Sequence, residues 1–203
     1  MSNLKLFAPY FYWHGSLLES HVKQIDRIFK RFIDNENNFK LDPGWDCTLK
    51  TSFKTKQSME FLGWNTFNEI MIDHIKSFLN DTESNILPVN YWCNKYEPGD
   101  SQEIHTHVGE KSNISLVYFH TVSEENNCDF VFYDREYRDS HFASGFMEDE
   151  LPKSENCRPK VKSGDFIVFP SHYPHYVTTH KGIGTRITFS ANYTTQNLMF
   201  SSF

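Results

Sequence analysis

From Asn90 to Tyr118 the chain reads NYWCNKYEPGDSQEIHTHVGEKSNISLVY, which has the form of a strand, a Pro-Gly turn, a His-x-His pair and a second strand. Side chains of an extended backbone alternate between faces, so His105 and His107 project the same way with one residue between them. Two neutral imidazoles at that spacing can grip one divalent metal ion. A third histidine, His175, lies downstream where it can close the set.

Two later stretches bear on the pair. Gly164 to Pro170, GDFIVFP, is a Gly-Asp turn feeding a buried strand and ending on a proline; Pro174-His175-Tyr176-Val177 then opens the next strand. That order brings His175 back toward the sheet that carries His105 and His107. The last strand, Thr185 to Tyr193, alternates cleanly: Arg186, Thr188, Ser190 and Asn192 share one face, Ile187, Phe189, Ala191 and Tyr193 the other. Taken alone, that polar face reads as solvated, as in many antiparallel sheets. The order HxH, GDFIVFP, PHxV, RxT is far more specific than any one of its parts.

The 203 residues suit a single domain, 1–203, with a strand and supporting helices over 1–88 and a β core over 89–203. Aromatic residues make up 16%, which suits the interior of a sandwich or barrel. Cys47, Cys93, Cys128 and Cys157 form no CxxC pair, so free thiols in a reducing compartment are expected. No apolar run is long enough to span a bilayer, and the N-terminus lacks the layout of a signal peptide; a cytoplasmic protein with no membrane partner is expected. A net charge of −6 with no broad basic stripe argues against general nucleic-acid binding.

In chain order, residues 4–13 read as an edge strand containing a proline. Ser16 to Glu19 has the form of a capping box, followed by Leu18, Val22, Ile25, Phe29 and Phe32 at helical spacing. A second helix is expected with Thr66 and Glu69 as its capping box and Phe67, Ile70, Met71, Ile75, Phe78 and Leu79 on one face. Short strands are expected near 89–96, 104–107, 113–119, 128–133, 165–169, 175–179 and 184–193. The charged excursion over 134–160 is a candidate lid or a solvated insert. Among the other histidines, His21 and His74 read as structural or exposed, His120, His141 and His180 as surface residues, and His172 as an alternative to His175.

These residues resemble the 2-oxoglutarate- and Fe(II)-dependent oxygenases, above all prolyl-hydroxylase-type members and small oxygenases of bacteria and tailed phages. The resemblance covers 90–193, about half of the chain. It implies an α+β, mainly β fold: a double-stranded β-helix, or jelly roll, with N-terminal helices packed against one sheet. It also implies that His105 and His175 are the first and last metal ligands, and that Arg186 binds the far carboxylate of 2-oxoglutarate. Thr188 completes the arginine motif, and Tyr96 matches a tyrosine that hydrogen-bonds the co-substrate. The middle ligand, an acid in most of the family, is here His107; Glu103, Glu110 or water are the other candidates.

The implied activity is a hydroxylase using Fe(II), 2-oxoglutarate and O2, with succinate and CO2 released and a peptidyl residue or small molecule oxidised. For a phage protein the compartment would be the host cytoplasm. Cupins share the jelly roll, and their motifs select the same three histidines; they have no requirement for Arg186. A cupin-type enzyme acting without 2-oxoglutarate and a non-catalytic metal-binding domain therefore remain open, as does oligomeric state, a homodimer included.

Overall fold

The computed structural model describes residues 11–108, 111–122, 128–133 and 157–196. Its centre is the last strand, β9 (Arg186–Gln196), which pairs antiparallel with β3 (Asn85–Tyr96) on one side and β5 (Ile114–Thr121) on the other. β5 continues to β7 (Asp165–Pro170), which pairs with β1 (Trp13–Ser16); β3 pairs at the far edge with β2 (Lys50–Thr51). The six strands form one sheet in the order β1-β7-β5-β9-β3-β2. A second sheet holds β4 (Gln102–His105), β8 (His175–Val177) and β6 (Phe130–Phe132) in the order β4-β8-β6. Strands that alternate between two facing sheets in this way make the expected double-stranded β-helix.

The alternation along β9 becomes two interiors. Phe189, Ala191 and Tyr193 face the helices, where α1 (Glu19–Asp34) contributes Ile25, Phe29 and Phe32, and α3 (Gly63–Leu79) contributes Trp64, Phe67, Met71 and Ile75. Phe29 lies 4.5 Å from Phe189, centroid to centroid. Burying each such ring contributes roughly 1.5–3 kcal/mol. Between the sheets lies a second apolar cluster that includes Val117, Phe119, Phe130, Ile167 and Phe169. A short helix, α2 (Lys56–Met59), is capped by the Thr55 hydroxyl, which accepts from Ser58 N–H. Among the described residues no helix is long and apolar enough to cross a membrane.

Several expectations need correction. Ser16 does not cap α1: its hydroxyl donates to Asp165 Oδ1 across the β1–β7 pair at 2.6 Å, and the helix begins at Glu19 behind Leu18. Leu18 is 67% exposed because it precedes the helix rather than lying on its buried face. Thr66 likewise sits inside α3, which starts at Gly63 with Leu62 at its cap. Gly63 permits that start because a Cβ there would meet Phe61 at 2.5 Å and Ile28 at 2.7 Å. His120 is half-buried, stacked 5.0 Å from Phe189 and 3.1 Å from Asp26. His180 is 1% exposed: its backbone N–H donates to Asp100 O, its carbonyl accepts from Gly99 N–H, and its Nε2 donates to Gly184 O. The excursion at 134–160 falls largely outside the described residues, as does the first part of the 4–13 strand.

Candidate metal and co-substrate site

His105 ends β4 and His175 begins β8, and the two are paired in register across the small sheet. His107 follows two residues on, its backbone N–H donating to Ser171 O at 2.9 Å. One ring nitrogen from each of the three lies within 4.8 Å of the others. The ring centroids are 4.2 Å (His105–His175), 5.1 Å (His107–His175) and 5.2 Å (His105–His107) apart. Among the described residues no other histidine, cysteine or acid joins the group. Glu103 is turned away, with Oε1 accepting from Asp46 N–H at 3.3 Å, and His172 is exposed against Tyr173. Glu110 lies outside the described residues.

What holds the rings decides which nitrogen is offered. His105 Nδ1 donates to Glu103 O at 2.8 Å, and His175 Nδ1 donates to Tyr173 O at 2.9 Å. A carbonyl only accepts, so in the neutral ring the proton is on Nδ1 and the Nε2 lone pair is free, the usual arrangement of a metal-bound histidine. Burial lowers the pKa of all three rings: that of His107 falls to about 3, with His105 adding to the effect, and that of His175 falls well below the ordinary value. At neutral pH the three rings are uncharged, and His105 and His175 offer their Nε2 lone pairs.

The polar face of β9 is not solvated. Arg186, Thr188, Ser190 and Asn192 are all buried, because this face looks into the space between the sheets. Arg186 is 1% exposed. Its Nη1 donates to Cys128 O at 2.5 Å, while Nε and Nη2 have no hydrogen-bond partner among the described residues. The guanidinium lies 5.6 Å from the Phe119 ring and 6.0 Å from that of Tyr96. It borders a cavity of about 520 Å³ lined also by Cys128, Asp129, Phe130, Lys160 and Lys162; the histidines do not line that cavity. Burial raises the pKa of the Tyr96 phenol, opposed by Arg186, so it remains an O–H donor; it donates to Gln102 Oε1 at 2.8 Å. Thr188 stands opposite Asn94 and Phe119 in the sheet.

Three polar residues of this interior had not been singled out in the sequence. Trp92 packs 5.6 Å from the His107 ring, and neither its indole N–H nor the side-chain oxygen of Asn94 has a hydrogen-bond partner among the described residues. Asn192 reaches His107 Nδ1 with its side-chain nitrogen at 3.2 Å. The period-two rule carries the signal that would have found them: Asn90, Trp92, Asn94 and Tyr96 share one face of β3, and Asn192 shares that of Arg186.

A buried guanidinium with two idle donors, in a jelly roll that gathers three neutral imidazoles, is an arrangement for a divalent cation and an anionic ligand. Residues 90–192, just over half of the chain, match the family model described as "Putative 2OG-Fe(II) oxygenase". The chain belongs to that family. It is a 2-oxoglutarate-dependent non-haem iron dioxygenase, with Fe(II) as metal and 2-oxoglutarate and O2 as co-substrates.

Solved structures agree in fold. A Pseudomonas putida prolyl-4-hydroxylase superposes with a TM-score of 0.60 at 11% identity, over 93% of this chain and 94% of that one. A Trichoplax adhaerens prolyl hydroxylase, in complex with a peptide fragment of the hypoxia inducible factor oxygen degradation domain, gives 0.61 at 10% identity, over 90% and 83%. HygX from Streptomyces hygroscopicus, with nickel, 2-oxoglutarate and hygromycin B bound, gives 0.58 at 10%, over 91% and 83%. No curated protein matches the chain.

Proposed function

We propose that His105, His107 and His175 hold the Fe(II) through Nε2 and that Arg186, with Thr188 and Tyr96, holds the far carboxylate of 2-oxoglutarate. The enzyme then hydroxylates a peptidyl side chain or a small molecule. When bound, the iron and co-substrate supply oxidative decarboxylation to succinate and CO2 coupled to oxygen insertion into a substrate C–H bond. The protein contributes position and exclusion of water. His105 and His175 are oriented by the carbonyls of Glu103 and Tyr173. Phe119, Phe130 and Phe169 keep the space between the sheets apolar. Three neutral ligands leave the metal's charge uncompensated, unlike the usual two-histidine, one-carboxylate set, and a dianionic co-substrate offsets it.

Arg186 carries the reading. A buried charge with unsatisfied donors is costly in an apolar interior unless a partner arrives. Cys128 O takes one N–H, and the far carboxylate of 2-oxoglutarate offers two oxygens to the remaining edge. Calorimetric titration of 2-oxoglutarate into anaerobic, metal-loaded protein tests this. Arg186→Lys and Arg186→Met should weaken binding by about 100-fold or more, the range for breaking a buried charge pair. Unchanged affinity would leave a jelly-roll metal enzyme that works without 2-oxoglutarate.

A further inference from the structure

Alternate residues of β3 face opposite ways: Cys93 packs with the helices, whereas Tyr96 belongs to the cluster between the sheets, and Trp92 and Asn94 share its face. Across the ladder Tyr96 stands opposite Arg186, Asn94 opposite Thr188 and Trp92 opposite Ser190. The rows thus run from the buried arginine toward the histidines, and Trp92 is at the histidine end, its ring 5.6 Å from that of His107. Phe53 packs edge-on against the indole at 5.0 Å and holds it in place. Trp92 is 2% exposed, and its Nε1–H has no hydrogen-bond partner among the described residues.

A buried N–H with nothing to donate to is costly, and it becomes favourable when an acceptor arrives. Two side-chain atoms on this face of β3 are idle among the described residues, and they are of opposite kinds: Asn94 Oδ1 accepts, and Trp92 Nε1–H donates. 2-Oxoglutarate, with two carboxylates and a keto oxygen, presents acceptors only. The indole is complementary to it and the carboxamide oxygen is not.

We infer that Trp92 donates its indole N–H to the metal-end carboxylate of 2-oxoglutarate and is a second anchor for the co-substrate. This rests on the reading of Arg186 and the histidines as the two ends of the co-substrate site. Arg186 holds the far end by charge. Trp92 holds the near end by one directed bond and, being neutral at any pH, adds no charge beside the metal.

NMR of protein labelled with nitrogen-15 in tryptophan tests the contact under anaerobic conditions with Zn(II) bound. The indole signal absent from Trp92→Phe belongs to Trp92. In the wild type it should move downfield on addition of 2-oxoglutarate, and likewise with 2-oxopentanoate, which keeps the metal-end carboxylate and the keto oxygen but lacks the far carboxylate. Calorimetry should show that Trp92→Phe weakens both acids by about 10-fold or more, the value of a hydrogen bond to a charged group. Zinc affinity should not change, because phenylalanine still packs against His107. An unmoved indole signal, or unchanged affinity for both acids, overturns the inference. A loss of zinc affinity equal to the loss of 2-oxoglutarate affinity also overturns it, since Trp92 would then only support His107. The Arg186 reading fails separately: Arg186→Met should weaken 2-oxoglutarate and leave 2-oxopentanoate untouched, and equal binding of 2-oxoglutarate by this variant and the wild type would remove the far-end anchor while the Trp92→Phe comparison still decides the near one.

Discussion

Nε2 of His107 and Nε2 of His175 lie 3.3 Å apart, although 68 residues of chain separate them. Two lone pairs repel at that distance, so a proton or a cation must lie between the rings. The first prediction follows from that. Wild-type protein should bind one equivalent of Zn(II) or Fe(II), and the His105→Ala and His175→Ala variants should lose it. At metal concentrations 100-fold above Kd, binding should stabilise the fold by about 2.7 kcal/mol, read as a rise in Tm. Equal rises in the two variants would place the metal elsewhere.

Acid should destabilise the metal-free protein through the same rings. Their folded pKa values lie below the unfolded value of about 6.5, with His107 at about 3. Below that value the unfolded chain binds protons that the folded state refuses, so stability is complete above pH 6.5 or so and falls as pH drops. The slope is up to about 1.4 kcal/mol per pH unit for each ring, until its folded pKa is reached. Denaturant unfolding between pH 7 and 5 measures it. A His107→Gln, His175→Gln double variant should show a shallower slope.

Thr188→Val tests the co-substrate pocket without removing its charge. The substitution keeps the shape and deletes one buried hydroxyl beside Tyr96 and Asn94. The KM for 2-oxoglutarate should rise about 3- to 10-fold, the value of one hydrogen bond, with kcat less affected. An unchanged KM would mean that the hydroxyl only packs.

Gly15→Ala should weaken the docking of β1 on the large sheet. A Cβ at this position would lie 2.5 Å from Phe166 Cζ and 3.1 Å from Phe78 Cζ. Both rings belong to the packed interface with α3, so relief requires moving the core, at a cost of about 1–3 kcal/mol. Chemical denaturation measures it, and a loss below 0.5 kcal/mol or so would show that the rings yield freely.

Much of this architecture is legible because local chemistry and tertiary role coincide. The alternation in Arg186 to Tyr193, and the run of GDFIVFP into His175, give both the strands and the faces they present. Reading failed where a side chain had two possible partners. Ser16 satisfies every local condition for a helix cap, yet Asp165, 149 residues away, takes its hydroxyl. The polar face of β9 looks solvated from sequence, since nothing local reveals that a second sheet covers it. His180 sits in a turn that hydrogen bonds to Asp100 and Gly99 draw into the interior. Asn192 lay on the recognised face, but its bond to His107 depends on how the large sheet that carries β9 packs against the small sheet whose β4 leads into His107, which no local pattern encodes.

The central claim is that one interior holds both the metal and 2-oxoglutarate. Anaerobic protein loaded with Fe(II) should develop a weak visible metal-to-ligand charge-transfer band when 2-oxoglutarate is added, and should form succinate when air is admitted. In Arg186→Met the band should appear only at about 100-fold higher 2-oxoglutarate or above, in line with the lost charge pair. Stoichiometric iron binding by the wild type, with neither band nor succinate, would contradict the account.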